Sequence, residues 1–135
     1  MHDQEEIETF KKFCPLPIEE VREISHIVLM QMMPAVIEED IESFGAAVNH
    51  VQTVGFNKRE SLIWPDFVKN IASFMRNRSY GAGVSSFGPV VYAFVDNREE
   101  GRQLQTEVQK MLDESVGGVT MMTRAKNSGA EISKT

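Results

Sequence analysis

A chain of 135 residues is long enough for one domain with a real core and too short for two ordinary ones. A net charge of −6, with no cluster of Lys and Arg, argues against a phosphate-backbone binder and so against nucleic acid as a partner. No apolar run is long enough to cross a membrane, the acidic start MHDQEEIETF is no signal peptide, and a single cysteine leaves no internal disulfide, so a cytoplasmic location is expected.

Residues 4 to 13 carry Ile7 and Phe10 on one face and predict a helix that Pro15 and Pro17 end. Cys14 has no Cys-x-x-Cys partner and is expected to be buried as a small apolar residue. From Ile18, the apolar positions Val21, Ile24, Val28 and Met32 keep helical spacing, with Glu19 and Glu20 in the first turn, where the helix dipole favours them. Pro34 is expected to kink this helix, with the true break at Glu38 to Asp40 and Asp40 as the next N-cap. Met30, Met32 and Met33 are expected to fill core. Ile41, Phe44, Val48 and Val51 form one stripe of the clearest helix, which Gly55 is expected to stop. A further helix carries Phe67, Ile71 and Phe74 after Pro65. His26 and His50 lack a second ligand at metal-binding spacing, so no metal is expected.

After Tyr80 the period changes. Val90 to Val95 is β-branched and aromatic and reads as a buried strand. Gln103 to Glu114 carries Leu104, Val108 and Met111 at helical spacing, and Gly117 and Gly118 end it. Val119 to Thr123 reads as a second strand, and Gly81 to Ser85 is a third candidate. The polar tail, 124–135, is expected to fray. Helices first and a strand–helix–strand unit last predict one helix-rich α+β domain over 1–135, with a thin sheet for so many helices to cover.

The stretch GAGVSSFGP, residues 81–89, lacks the Lys-Ser/Thr pair of a Walker A loop, and Ser86 occupies the third glycine position of a dinucleotide fingerprint. It also precedes a strand, whereas both of those motifs follow one. Two readings stay open. The glycines serve a tight turn, or they let backbone approach a small anion that Ser85 and Ser86 also contact. Arg124, Lys126 and Asn127 are candidate contacts for an anionic ligand, or simply part of a solvated tail.

GAGVSSFGP resembles the third motif of the GHMP kinase superfamily, Gly-x-Gly-x-Ser-x-x-Gly-Pro. FKKFCPLP, PAVIEEDIESFGAAVN and TRAKNSGAEI are similar, in order, to C-terminal segments of archaeal β-ribofuranosylaminobenzene 5′-phosphate synthases. The resemblance implies a ferredoxin-like GHMP C-terminal domain. In it Gly81, Gly83, Ser85, Ser86 and Gly88 form a loop beside a phosphorylated substrate held mostly by an N-terminal domain. The implied reaction joins phosphoribosyl pyrophosphate to 4-hydroxybenzoate or 4-aminobenzoate, with loss of carbon dioxide and pyrophosphate, on the way to methanopterin. The resemblance allows Mg in the full-length family and places no cofactor in this chain. No segment of the 135 residues matches the N-terminal domain or the first, central strand of the ferredoxin-like sheet. The chain alone is therefore expected to be inactive, its catalytic residues are unassigned, and an open strand edge is expected to drive a homodimer or larger assembly. The alternative is a stand-alone, non-catalytic oligomerisation or small-ligand-binding module.

Overall fold

Proline sets the first helix boundaries in the computed structural model, which describes residues 3–130 and 132. Helix α1 (Asp3–Phe13) stops before Pro15, and α2 (Ile18–Ile27) starts after Pro17. A π turn over Val28–Met32 joins α2 to α3 (Met33–Ile37), so the helical path continues past Pro34 as expected. The widened turn sits where the missing Pro34 N–H and the ring disturb the ladder. Asp40 then caps α4 (Ile41–Val51): its carboxylate accepts from the Ser43 N–H at 3.0 Å and the Ser43 hydroxyl at 2.6 Å. Those bonds, the hydroxyl's first, hold the Asp40 carboxyl below its usual range.

Gly55 does not stop α4, which has already ended at Val51. With φ +57 it opens α5 (Gly55–Ile63). The sequence pattern misses α5 because its run Asn57 to Ser61 is polar and carries no apolar stripe. Helix α6 (Asp66–Arg76) follows Pro65 and buries Val68, Ile71 and Ala72. Strands β1 (Gly81–Val84) and β2 (Val91–Phe94) form an antiparallel hairpin, with Gly81 opposite Phe94 and Val84 opposite Val91. Asn97 accepts from the N–H groups of Glu99 and Glu100 and starts α7 (Arg98–Asp113).

The fold is helix-rich α+β, but the sheet differs from the expected strand–helix–strand unit. The candidate strand at Gly81 is real, whereas Val119 to Thr123 is not a strand. Side chains of α7 take its hydrogen bonds instead. The Thr120 N–H and hydroxyl both donate to Gln109 Oε1 at 3.0 Å, and Gln105 Nε2 donates to the Thr120 carbonyl at 3.0 Å. Cys14 is exposed rather than buried, because the chain has left α1 there and turns toward Pro15. Met30 and Met33 are exposed too, and only Met32 of the three packs against core.

The two edges of the sheet differ. The outward N–H groups of β1 are capped by α4: Ala82 donates to Asn49 Oδ1 at 3.0 Å and Val84 to Gln52 Oε1 at 3.2 Å. Antiparallel alternation turns the N–H groups of Val91 and Ala93 away from β1. They meet no backbone partner among the described residues. One face of β2 packs Val91 and Ala93 against Ile71 of α6 and Leu104 and Val108 of α7. On the other face, Phe94 meets Phe44 of α4 edge to face at 5.0 Å.

Candidate functional site: the Ser85–Gly88 hairpin tip

The glycine- and serine-rich stretch is the turn between β1 and β2. The Ser85 N–H donates to the Val90 carbonyl at 2.9 Å, and the Gly88 N–H donates back to the Ser85 carbonyl at 3.0 Å. Ser86 (φ +49) and Gly88 (φ +78) take the left-handed region. At Gly88 this is the glycine requirement a tight turn imposes. So the turn reading accounts for the glycine at the tip, and the tip still presents polar groups. Ser85 and Ser86 are exposed. Neither hydroxyl, nor the N–H of Ser86 or Phe87, has a hydrogen-bond partner among the described residues. Adjacent free N–H groups and hydroxyls on a turn suit the oxygens of an anion.

Phe87 holds the tip in place. It is buried, and its ring meets Phe10 of α1 at 5.6 Å and Phe56 of α5 at 6.0 Å, both edge to face. Phe10 stacks on Phe56 at 4.6 Å, and Phe13 joins them at 5.9 Å. The aromatic before the last glycine thus ties the turn to two helices while the serines stay in solvent.

Of the five loop residues named from sequence, the structure brings Ser85, Ser86 and Gly88 together at the tip. Gly81 and Gly83 lie inside β1, each against a neighbouring element. A Cβ on Gly81 would stand 2.5 Å from the Gly45 carbonyl oxygen, and one on Gly83 would stand 2.5 Å from the Tyr92 hydroxyl. Burial there pushes the Tyr92 phenol up. Arg124, Lys126 and Asn127 lie exposed in the segment after α7, which is tied back to that helix at Gly118 and Thr120.

The sequence alone does not single out Asn49, Gln52 or Glu60. Asn49 and Gln52 are polar residues three apart beside the apolar stripe of α4, and that spacing was the available signal. Glu60 stands on α5 four residues after Phe56 and four before Trp64. Phe56 touches Phe87 of the tip, and Trp64 shares a core cluster with Val84 at its base. Glu60 is 2% exposed and its Oε1 has no hydrogen-bond partner, so burial raises its pKa. Trp64 Nε1 is a buried donor likewise without a partner. Among the described residues no group of three or more His, Cys, Asp or Glu side chains could hold a metal ion. The tip offers exposed hydroxyls and backbone amides.

Comparison with known proteins agrees along the whole chain. A beta-ribofuranosylphenol 5′-phosphate synthase of Methanocaldococcus jannaschii is 38% identical over 133 residues, which is 98% of this chain and 39% of that protein. The synthase of the same name from Archaeoglobus fulgidus is 36% identical over 129 residues, 96% of this chain and 40% of that protein. That of Methanothermobacter thermautotrophicus is 44% identical over 94 residues, 69% of this chain and 29% of that protein. The chain thus spans at most about two fifths of the length of these relatives. The family model for the GHMP kinases C terminal matches residues 32–114, which include α4, the hairpin and α7, and the chain belongs to that family.

Proposed function

We propose that the chain works as the C-terminal portion of a synthase of the β-ribofuranosylphenol 5′-phosphate type. In this reading the Ser85–Gly88 tip contacts a phosphorylated substrate held mainly by an N-terminal GHMP domain. The observation that carries it is the similarity to the Methanocaldococcus jannaschii synthase over 98% of the chain, hairpin included. The reaction taken is phosphoribosyl pyrophosphate with 4-hydroxybenzoate or 4-aminobenzoate, in methanopterin biosynthesis.

The tip's part in that chemistry is positioning. Two hydroxyls and two free N–H groups orient anionic oxygens, and Phe87 anchors the turn that carries them. A pyrophosphate leaving group also needs concentrated positive charge, which the tip does not supply and the N-terminal domain would. In the same reading, a strand of the longer protein pairs with the open edge of β2. Pyrophosphate release from phosphoribosyl pyrophosphate with either aromatic acid is the test. The isolated chain is expected to show none above buffer, and turnover at an ordinary enzymatic rate of about 1 s⁻¹ or more would overturn the reading.

A further inference from the structure

Two rings beside the hairpin tip make a corner. Phe56 of α5 and Phe87 stand 6.0 Å apart with their planes at 81°. The ring of Phe10 fills that corner. It lies flat on Phe56, at 4.6 Å and 16°, and meets Phe87 edge to face, at 5.6 Å and 88°. Phe87 is buried and Phe56 half-buried, whereas Phe10 is 46% exposed, so Phe10 caps the stack from the solvent side. A ring belonging to a packed core is enclosed by its neighbours, and this one is not. Its helix is also separable. Pro15 and Pro17 divide α1 from α2, and α1 reaches the corner through Phe10 and through Phe13, which stands edge-on to Phe56 at 5.9 Å. Ile7, one turn back on the same face of α1, is exposed.

We infer that the corner of Phe56 and Phe87 seats the ring of an aromatic acid, and that Phe10 occupies this seat in the free chain. The inference rests on the reading of the chain as part of a synthase that joins a phosphorylated sugar to an aromatic acid, and it gives the second substrate a place. The free N–H groups of Ser86 and Phe87 and the hydroxyls of Ser85 and Ser86 belong to the same turn as the Phe87 ring. A phosphorylated sugar on those donors and an aromatic ring against Phe87 are therefore neighbours, as transfer between them requires. The exchange is ring for ring. An aromatic acid recovers the flat contact on Phe56 and the edge contact on Phe87 that Phe10 gives up, and an aliphatic acid of similar size does not. Phe10 lowers the apparent affinity by the fraction of chains in which it is seated, and α1 is the cover that leaves.

NMR titration of the whole chain with 4-hydroxybenzoate tests this, with cyclohexanecarboxylate as the non-aromatic control. In the wild type the aromatic acid is expected to shift the ring signals of Phe56 and Phe87 and to speed amide exchange in α1. Phe10→Ala frees the corner and is expected to tighten binding about tenfold. Phe56→Leu in the Phe10→Ala background is expected to weaken it again, by about tenfold or more. The control acid is expected to bind the Phe10→Ala chain about tenfold more weakly than 4-hydroxybenzoate does. The Phe10→Ala and control-acid arms decide the matter if Phe56→Leu fails to fold. Because the readout is binding, the inference stands or falls apart from the turnover that tests the synthase reading. Ring signals of Phe56 and Phe87 that stay unmoved in both the wild type and Phe10→Ala overturn it. So does an affinity indifferent to Phe10→Ala, or equal binding of the control acid.

Discussion

Gly45 of α4 and Gly81 of β1 touch backbone to backbone. A Cβ on Gly45 would lie 2.2 Å from the Tyr80 carbonyl oxygen, and one on Gly81 would lie 2.7 Å from the Gly45 Cα. This crossing brings α4 close enough for Asn49 and Gln52 to cap the edge of β1, and so it sets where the hairpin tip stands. Gly45→Ala or Gly81→Ala pushes backbone from backbone and is expected to lower stability by about 1–3 kcal/mol or more in urea unfolding. Gly101→Ala is the contrast. Its Cβ would meet the flexible Met122 Sδ at 2.6 Å, and alanine favours the helix, so the loss there should be smaller. Equal losses at Gly45 and Gly101 would contradict the close crossing.

Phe87 and the serines have separable roles. Phe87→Ala removes the ring held by Phe10 and Phe56 and is expected to destabilise by about 3 kcal/mol. Ser85→Ala and Ser86→Ala, at exposed hydroxyls without partners, should stay within about 0.5 kcal/mol of wild type. Thermal melts of the three variants check this. Serine variants that melt as early as Phe87→Ala would make the hydroxyls structural.

Glu60 gives a pH signature. Burial raises its pKa above the ordinary 4.5, so the folded chain keeps a proton that the unfolded chain has released. Its contribution is therefore intact below about pH 4.5 and is lost as pH rises through the raised folded value. Glu60→Gln cannot titrate. Its melting temperature relative to wild type is expected to climb by a few degrees between acid and neutral pH, and a pH-independent difference would refute the assignment.

Arg59 clamps Glu20 with two bonds, at 2.5 and 3.0 Å, and also donates to the Gly55 carbonyl at 2.8 Å, joining α2 to the start of α5. The hydrogen bond from Arg59 is the main cause that lowers the Glu20 pKa. Stability from this pair is present above the ordinary carboxylate range and fades as pH falls through the depressed folded value. Glu20→Gln should thus be modestly less stable than wild type at neutral pH and converge on it in acid, as pH-dependent melts would read.

Much of this architecture is legible in local sequence. The helical path that runs on past Pro34, the Asp40 cap and the strand after Pro89 follow from helical spacing, a side-chain oxygen at an N-cap and β-branched composition. The rest depends on contacts between distant residues. Helix α5 has no periodic stripe because Arg59 and Glu60 face neighbours that only the fold supplies. Val119 to Thr123 has strand composition, yet the amides of Gln105 and Gln109 take its hydrogen bonds. Met30 and Met33 look like core by type and period, and no pattern within one chain says which side of a doubly apolar helix stays open. At the candidate site, the GAGVSSFGP motif marks Ser85, Ser86 and Gly88. The placing of Gly81 and Gly83 inside β1 needs α4 and Tyr92 in view.

The reading of the chain as the substrate-side portion of a synthase is tested most directly by a chimaera in which it replaces the matching 39% of the Methanocaldococcus jannaschii relative. Pyrophosphate release from phosphoribosyl pyrophosphate and 4-hydroxybenzoate is then measured. The expected result is turnover that falls about tenfold or more with Ser85→Ala plus Ser86→Ala, with the melt unchanged, the scale of losing positioned donors. A folded chimaera without turnover, or one indifferent to both serine replacements, would contradict it.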